Sequence, residues 1–268
     1  MKITYKYIFN IVSYLSIFFV IYILIFYNFE KNTTIQKYLP NVHKNLTEIE
    51  NQYSILNNNS KVISENGVIL INNVLDKEYF KSIKDQFEDK EFNSRNFLLR
   101  KGAGVNFFNL HKDEYKGLVE IYYSNKVIDK ISRSLGKPVQ RISLADPNAC
   151  SLIVYTNKGD HIDWHYDYSS IYGDRYVILL TLINENKEKN GLSNNYFQYK
   201  YKGKLYKLQM EENSLIIFKG SEIMHQSSAI NDNERRILLS MVYCDICQEK
   251  KNVFNQIYEK SKNFIFYN

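Results

Sequence analysis

The stretch Gly159–Ser169 reads GDHIDWHYDYS and carries the same short pattern twice. His161-Ile162-Asp163 and His165-Tyr166-Asp167 are both His-x-Asp, offset by four residues. On an extended strand, residues two apart project from one face, so either copy presents an imidazole and a carboxylate to a single metal ion. The same alternation predicts that His161 and Asp163 share a face with His165 and Asp167. The flanking sequence reads as short β runs from Val139 onward: SLIVY, HIDWHYD, YVILLTLI, NYFQYKY, KLYKLQM, SLIIF and RRILLSMVY. Asn-Lys-Gly, Tyr-Gly-Asp and Lys-Asn-Gly turn signals separate some of them. Strands of this length and number predict a barrel or jelly roll.

A helical front precedes the strands. Gly67–Ile71 is a short apolar strand, and Asp76 is placed to cap a helix through about Phe87, with Tyr79, Phe80, Ile83 and Phe87 at helical spacing. Residues 113–135 predict two further helices, broken near Ser124-Asn125 and ended by Gly136-Lys137-Pro138. Helices followed by a run of strands indicate an α+β domain whose barrel is buttressed from its N-terminal side.

A non-haem iron site of the facial type needs two His and one carboxylate, with positions left open for co-substrate and oxygen. The chain has five His. His43 falls in a polar stretch and His111 in a loop, which leaves His161, His165 and His225. His225 follows SLIIFKGSEIM, at a strand end where a barrel mouth would lie. Arg235-Arg236 opens the last strand, and an Arg facing a barrel interior is costly without an anion to pair with. A dicarboxylate would supply that partner through a bidentate contact.

His-x-Asp, a distal His and an Arg about ten residues further on, in that order and inside a helix-then-β pattern, resemble the 2-oxoglutarate- and Fe(II)-dependent dioxygenases, and within them the prolyl-4-hydroxylase-like branch. The resemblance covers roughly residues 61–247. It implies a double-stranded β-helix (a jelly-roll or cupin-like barrel), with Fe(II) as metal, 2-oxoglutarate as co-substrate and ascorbate as reductant. The family order of Tyr, Gly-containing turn, strand and His-x-Asp fits Tyr155, Gly159 and His165. It therefore implies His165, Asp167 and His225 as metal ligands and leaves His161 and Asp163 as a polar strand start. Arg236 shares a face with Ser240, the hydroxyl residue that assists such an Arg in oxygen-sensing prolyl hydroxylases, while Arg235 remains the alternative anchor for 2-oxoglutarate. Tyr155 corresponds to a Tyr that hydrogen-bonds the co-substrate. The implied activity is hydroxylation of a C–H bond in a prolyl or lysyl side chain of a protein, or in a small molecule. A non-catalytic membrane-anchored jelly-roll binding domain and a cupin-like metal enzyme without 2-oxoglutarate are the competing readings. The family barrel also sets the strand before His-x-Asp antiparallel to the last strand, which implies a disulfide from Cys150 to Cys244 or Cys247.

The rest concerns the ends of the 268-residue chain. Tyr7–Phe29 is free of charge and includes IVSYLSIFFVIYILIFY. About 20 apolar helical residues cross a hydrocarbon core, so residues 1–31 read as a single transmembrane anchor. Lys2 and Lys6 favour a cytoplasmic N-terminus and a lumenal or extracytoplasmic domain. Residues 32–60 read as a polar stalk with three N-glycosylation sequons, at Asn32, Asn45 and Asn58. Residues 61–250 read as the dioxygenase domain, and residues 251–268 as a terminal helix and tail. The net charge of +6 comes from 35 Lys and Arg interspersed with 29 Asp and Glu. With no dense basic stripe, a nucleic-acid partner is not expected.

Overall fold

The computed structural model describes residues 2–22, 28–87, 90–97, 99–144, 146–169 and 171–250, together with 257 and 261. The terminal helix expected in 251–268 lies largely outside them. Five α-helices are described: α1 (Lys2–Ile21), α2 (Asn28–Gln52), α3 (Lys77–Lys84), α4 (Leu118–Tyr123) and α5 (Asn125–Leu135). The strands are β1 (Lys61–Glu65), β2 (Val68–Asn72), β3 (Arg95–Phe97), β4 (Arg100–Val105), β5 (Gln140–Arg141), β6 (Cys150–Tyr155) and β7 (His161–His165), then β8 (Arg175–Asn186), β9 (Phe197–Tyr201), β10 (Lys204–Leu208), β11 (Leu215–Lys219), β12 (Met224–Ser227) and β13 (Glu234–Cys244).

The strands join in one curled sheet of order β1-β2-β11-β8-β13-β6-β4-β7-β12-β9-β10, with β3 beside β4 and β5 beside β13. Its spine is the long antiparallel pair β8–β13, from Glu234↔Asn186 to Cys244↔Arg175. Every residue of β8 is buried except Glu185, as expected for a central strand covered on both faces. One face packs on the helices. Tyr79, Ile83 and Phe87 of the α3 region join Leu118, Ile121, Tyr122, Val127 and Ile131 against Leu152, Val154, Leu239 and Met241. The other face curls over a second cluster containing Val177, Leu179, Phe197, Ile216 and Phe218, and the candidate site lies there. Asp76 caps α3, its Oδ1 accepting from Glu78 N at 3.0 Å and Tyr79 N at 3.1 Å. Gly136 ends α5 at φ +70°, in the left-handed region where a residue without Cβ carries no steric cost.

Two expectations about the N-terminal region do not stand. Among the described residues no helix is long and apolar enough to cross a membrane. The charge-free run is not one described helix. Within the described residues α1 holds residues 7–21 of the run, about 22 Å at 1.5 Å per residue against a hydrocarbon core of about 30 Å. Asn10, Ser13 and Ser16 interrupt even that length. The transmembrane helix, the single-pass topology and the lumenal placement built on it fall together. Nor are residues 32–60 a stalk. Most of them belong to α2, which buries Ile35, Val42 and Ile49 in the main core. Its polar side is tied down as well: Asn45 Nδ2 donates to Glu120 Oε1 at 3.1 Å, and Glu48 pairs with Lys116 at 3.1 Å. Asn45, one of the sequon residues, thus turns its amide toward the domain.

The cysteines also pair differently. β6 and β13 are antiparallel as the resemblance implies, but Cys150 sits opposite Met241. Cys244 is three residues further on, about 10 Å along the strand, beyond the reach of a disulfide. The bond instead joins Cys244 to Cys247, and Cys150 is a buried free thiol.

Candidate metal centre

His165 ends β7 and His225 lies in β12, directly opposite it in the ladder. Asp167 follows β7 by two residues and is fixed by its own N–H, which donates to Gly220 O at 2.9 Å. Ligand atoms of His165, Asp167 and His225 lie within 4.8 Å of one another. Asp167 reaches one imidazole with each oxygen: Oδ1 is 3.8 Å from His165 Nε2, and Oδ2 is 3.7 Å from His225 Nε2. Each ring is steered from behind. His165 Nδ1 lies 2.7 Å from Asp163 O, and His225 Nδ1 lies 2.9 Å from Ile223 O. A carbonyl can only accept, so Nδ1–H is the donor and the Nε2 lone pair is left facing Asp167, the tautomer that a metal needs. Burial holds the His225 pKa below the ordinary imidazole value, opposed by the nearby Asp167 carboxylate. Both a neutral ring and an ionised carboxylate suit a cation.

His161 and Asp163 do not join this group. The pairings His225↔His165 and Ser227↔Ile162 advance two residues on β12 for three on β7. That extra residue is a β-bulge, which re-aims the side chains on one side of it. Ile162 and His165 therefore both line the cavity. His161 instead pairs in register with Lys101 of β4 and sets Nε2 3.6 Å from Asp163 Oδ1. Simple alternation predicted one face for both copies. The bulge separates them.

The cavity beside the three residues holds about 310 Å³, with Ile153, Val177, Leu179, Phe197, Phe218 and Leu238 among its walls. Arg236, Ser240 and Tyr155 also line it, whereas Arg235 does not. Arg235 points the other way, with Nη2 donating to Phe87 O at 2.6 Å and Nη1 3.5 Å from Glu185 Oε1. Arg236 is 1% exposed. Its Nη1 donates to Asn195 Oδ1 and, at 2.9 Å, to Ser227 Oγ, while Nε has no hydrogen-bond partner. Burial lowers its pKa to about 10, with the neighbouring Tyr155 pulling the other way. Among the described residues no carboxylate pairs with this guanidinium. The donor set therefore fits an external anion.

Sequence reasoning missed three residues here. Ser227 is two positions after His225 on β12, so period two would have placed both on one face. Asn195 accepts from both Arg236 and Ser227, and nothing in its local sequence signals that. Arg175 lines the cavity, is 7% exposed and has no side-chain partner among the described residues.

No family model matches the chain, and no curated protein matches it in sequence. Solved structures do share its fold. A 2OG-Fe(II) oxygenase family oxidoreductase from Burkholderia pseudomallei aligns at TM-score 0.52 and 10% identity, over 79% of this chain and 94% of that one. AviO1 from Streptomyces viridochromogenes Tue57 aligns at TM-score 0.52 and 11% identity, over 69% and 92%. The non-heme alpha ketoglutarate dependent epimerase SnoN from nogalamycin biosynthesis aligns at TM-score 0.51 and 11% identity, over 67% and 77%. The chain has the fold of the 2OG-Fe(II) oxygenases.

Proposed function

We propose that the protein is a 2-oxoglutarate- and Fe(II)-dependent dioxygenase that hydroxylates a C–H bond. The observation that carries this reading is the junction of two features in one cavity. A His-Asp-His set has its ligand atoms drawn together, and a fully buried Arg236 has no carboxylate partner among the described residues. His165, Asp167 and His225 hold Fe(II) on one side, a two-His, one-carboxylate set that leaves positions open. Bound there, Fe(II) with 2-oxoglutarate and oxygen supplies the oxidative decarboxylation that yields succinate and CO₂ and oxidises the substrate.

The chain's own residues do the rest. Asp163 O and Ile223 O keep the two imidazoles in the coordinating tautomer, and Gly220 O holds Asp167 in place. Arg236 pairs with the distal carboxylate of 2-oxoglutarate, and Asn195 and Ser227 fix its guanidinium so that the fork needs no reordering on binding. Tyr155 and Ser240 line the same cavity and complete the co-substrate pocket in this reading. Phe197, Phe218 and Leu179 exclude water from the reacting groups. Ascorbate serves as reductant. The substrate approaches past Tyr166, Tyr168, Arg100 and Arg175, all of which line the cavity. Arg175, with no side-chain partner among the described residues, calls for an acceptor on the substrate, such as the carbonyl of a prolyl or lysyl peptide or an oxygen of a small molecule.

The test uses the full chain with Fe(II), ascorbate and carboxyl-labelled 2-oxoglutarate. Labelled CO₂ is expected from the wild type and from His161→Ala, and none from His165→Ala. Release that persists in His165→Ala overturns the ligand assignment. Wild-type protein that binds Co(II) but not 2-oxoglutarate overturns the co-substrate.

A further inference from the structure

We propose that the Cys244–Cys247 disulfide is a reducible modification site that governs how firmly the rim of the cavity is held. The bond closes the short loop that leaves β13. That loop is the docking surface for the chain entering β8. Gly173 N donates to Ile246 O at 3.1 Å, and Tyr172 N donates to Gln248 O at 3.0 Å. Asp174 N donates to Asp245 Oδ1 at 2.8 Å, and Ile171 bridges Glu249. Lys137 closes the clasp from the end of α5, its Nζ 2.7 Å from Asp174 Oδ2 and 2.6 Å from Asp245 Oδ2. The fit is close: a Cβ on Gly173 would lie 2.5 Å from Asp245 Oδ1 and 2.5 Å from Ile246 O.

What the clasp holds is functional in position. Ile171–Asp174 lies between Asp167, which belongs to the metal-ligand set, and Arg175, which lines the cavity. Cys244 itself stands directly across the β8–β13 ladder from Arg175. Everything that fixes this segment from the β13 side comes from 245–249. Those residues are constrained at one end by the last strand pairing and within the loop by the disulfide.

The two sulfurs differ in access. Cys244 is fully buried, while Cys247 is only partly so. A dithiol reductant therefore attacks Cys247 Sγ, and Cys244 Sγ is the leaving group. The reductant's second thiol then displaces Cys247. One S–S bond breaks here and one forms in the reductant, and two electrons and two protons pass to Cys244 and Cys247. Gln140 O, 3.8 Å from each sulfur, stands ready to accept from the thiols formed.

The experiment is hydrogen–deuterium exchange of the full chain, read by mass spectrometry, before and after reduction with dithiothreitol. Alkylation in denaturant counts the thiols. One labelled cysteine before reduction and three after are expected, and three labelled before reduction means the bond is absent and the proposal fails. Reduction should raise exchange in peptides containing Tyr172, Gly173 and Asp174 about tenfold, while peptides from the centre of β13 stay protected. Cys247→Ser should reach the reduced-state rate without reductant and should not change further with it. Its replacement is at the more accessible sulfur, so the core around Cys244 is left intact. Unchanged exchange on reduction, or loosening spread evenly through the chain, overturns the proposal. This readout needs no metal or 2-oxoglutarate, so it stands or falls independently of the proposed activity.

Discussion

Replacing Arg236 with Met separates binding from stability because the two are expected to move differently. Burial, partly opposed by Tyr155, lowers the guanidinium pKa to about 10 from an ordinary value of 12.5. At ~1.4 kcal/mol per tenfold, this is a penalty of about 3 kcal/mol on the charged form. Against it stand the hydrogen bonds from Nη1 to Asn195 and Ser227, each worth about 1.5–3 kcal/mol when one partner is charged. Met removes both the penalty and the bonds, keeps most of the volume, and leaves Asn195 Oδ1 still accepting from Ser227 at 2.9 Å. The net change in folding stability should therefore be a loss of between about 0 and 3 kcal/mol. The loss in 2-oxoglutarate affinity should be about 2–5 kcal/mol, or at least thirtyfold, because one partner of a buried charge pair is truncated. Isothermal titration of 2-oxoglutarate into the Co(II)-loaded protein reads the second quantity, and thermal unfolding without ligand reads the first. Arg235→Met is the control: it breaks the contacts to Phe87 O and Glu185, lowers stability by about 1 kcal/mol and leaves the affinity unchanged. If Arg236→Met binds 2-oxoglutarate normally and Arg235→Met does not, the reasoning is refuted.

Three further outcomes are expected. His165→Ala and His225→Ala should each weaken Co(II) binding by more than about a hundredfold, followed by visible absorption, while His161→Ala should not; equal losses from all three would contradict the division made by the bulge. Gly220→Ala should weaken Co(II) binding by about tenfold or more, since a β-carbon there would fall on the Asp167 carboxylate and displace a ligand; unaltered affinity would show that Asp167 is not positioned through Gly220. His111 is 2% exposed between Phe107 O and the Tyr123 hydroxyl, and burial pulls its pKa down to about 4. With the folded value below the unfolded 6.5, the unfolded chain binds more protons between them. The contribution is thus fully present above about pH 6.5 and is lost as the pH falls toward 4, by about 3 kcal/mol in all. Melting curves across that window should be flatter for His111→Gln, and parallel curves would refute the assignment.

Much of the barrel was legible in sequence because β6, β8, β11 and β13 are buried along most of their length and read as apolar runs bounded by turns. β4 was not. Its sequence, RKGAGV, contains two glycines and no apolar alternation, yet at Gly102 a Cβ would lie 2.9 Å from both the Tyr155 ring and Val154 O. The close approach to β6 demands the small residues that made the segment look like a loop. α2 was hidden for another reason. Ile35, Leu39, Val42, Leu46 and Ile49 follow a helical spacing, but Asn, Thr and Lys fill the positions between and gave the segment the composition of a stalk. The reverse error occurred in α1, where composition alone suggested a membrane span and the extent of the helix did not supply one. The cysteine pairing failed by register. The two strands are neighbours, but the offset along β13 decides which sulfur is within reach, and sequence does not carry that offset.

The repeated His-x-Asp shows where pattern and fold part company. Both copies offer the same two functional groups at the same spacing, so local chemistry cannot choose between them. What differs is the partner across the ladder. His165 stands opposite His225, so a second imidazole is supplied by the neighbouring strand, and Asp167, beyond the strand end and held by Gly220 O, reaches both rings. His161 stands opposite Lys101, whose ammonium donates to Lys158 O at 2.6 Å, so that neighbour supplies no ligand. A metal set is therefore built by what lies next to a strand as much as by what lies along it. The bulge in β7 makes the arrangement exclusive. It brings Ile162 inward beside His165 and leaves the first copy to pair with itself, so the cavity presents one carboxylate and two imidazoles rather than a competing pair of sites. A deletion that removed the extra residue would leave the two histidines three apart, still on opposite faces of a now regular strand, with His165 still across from His225.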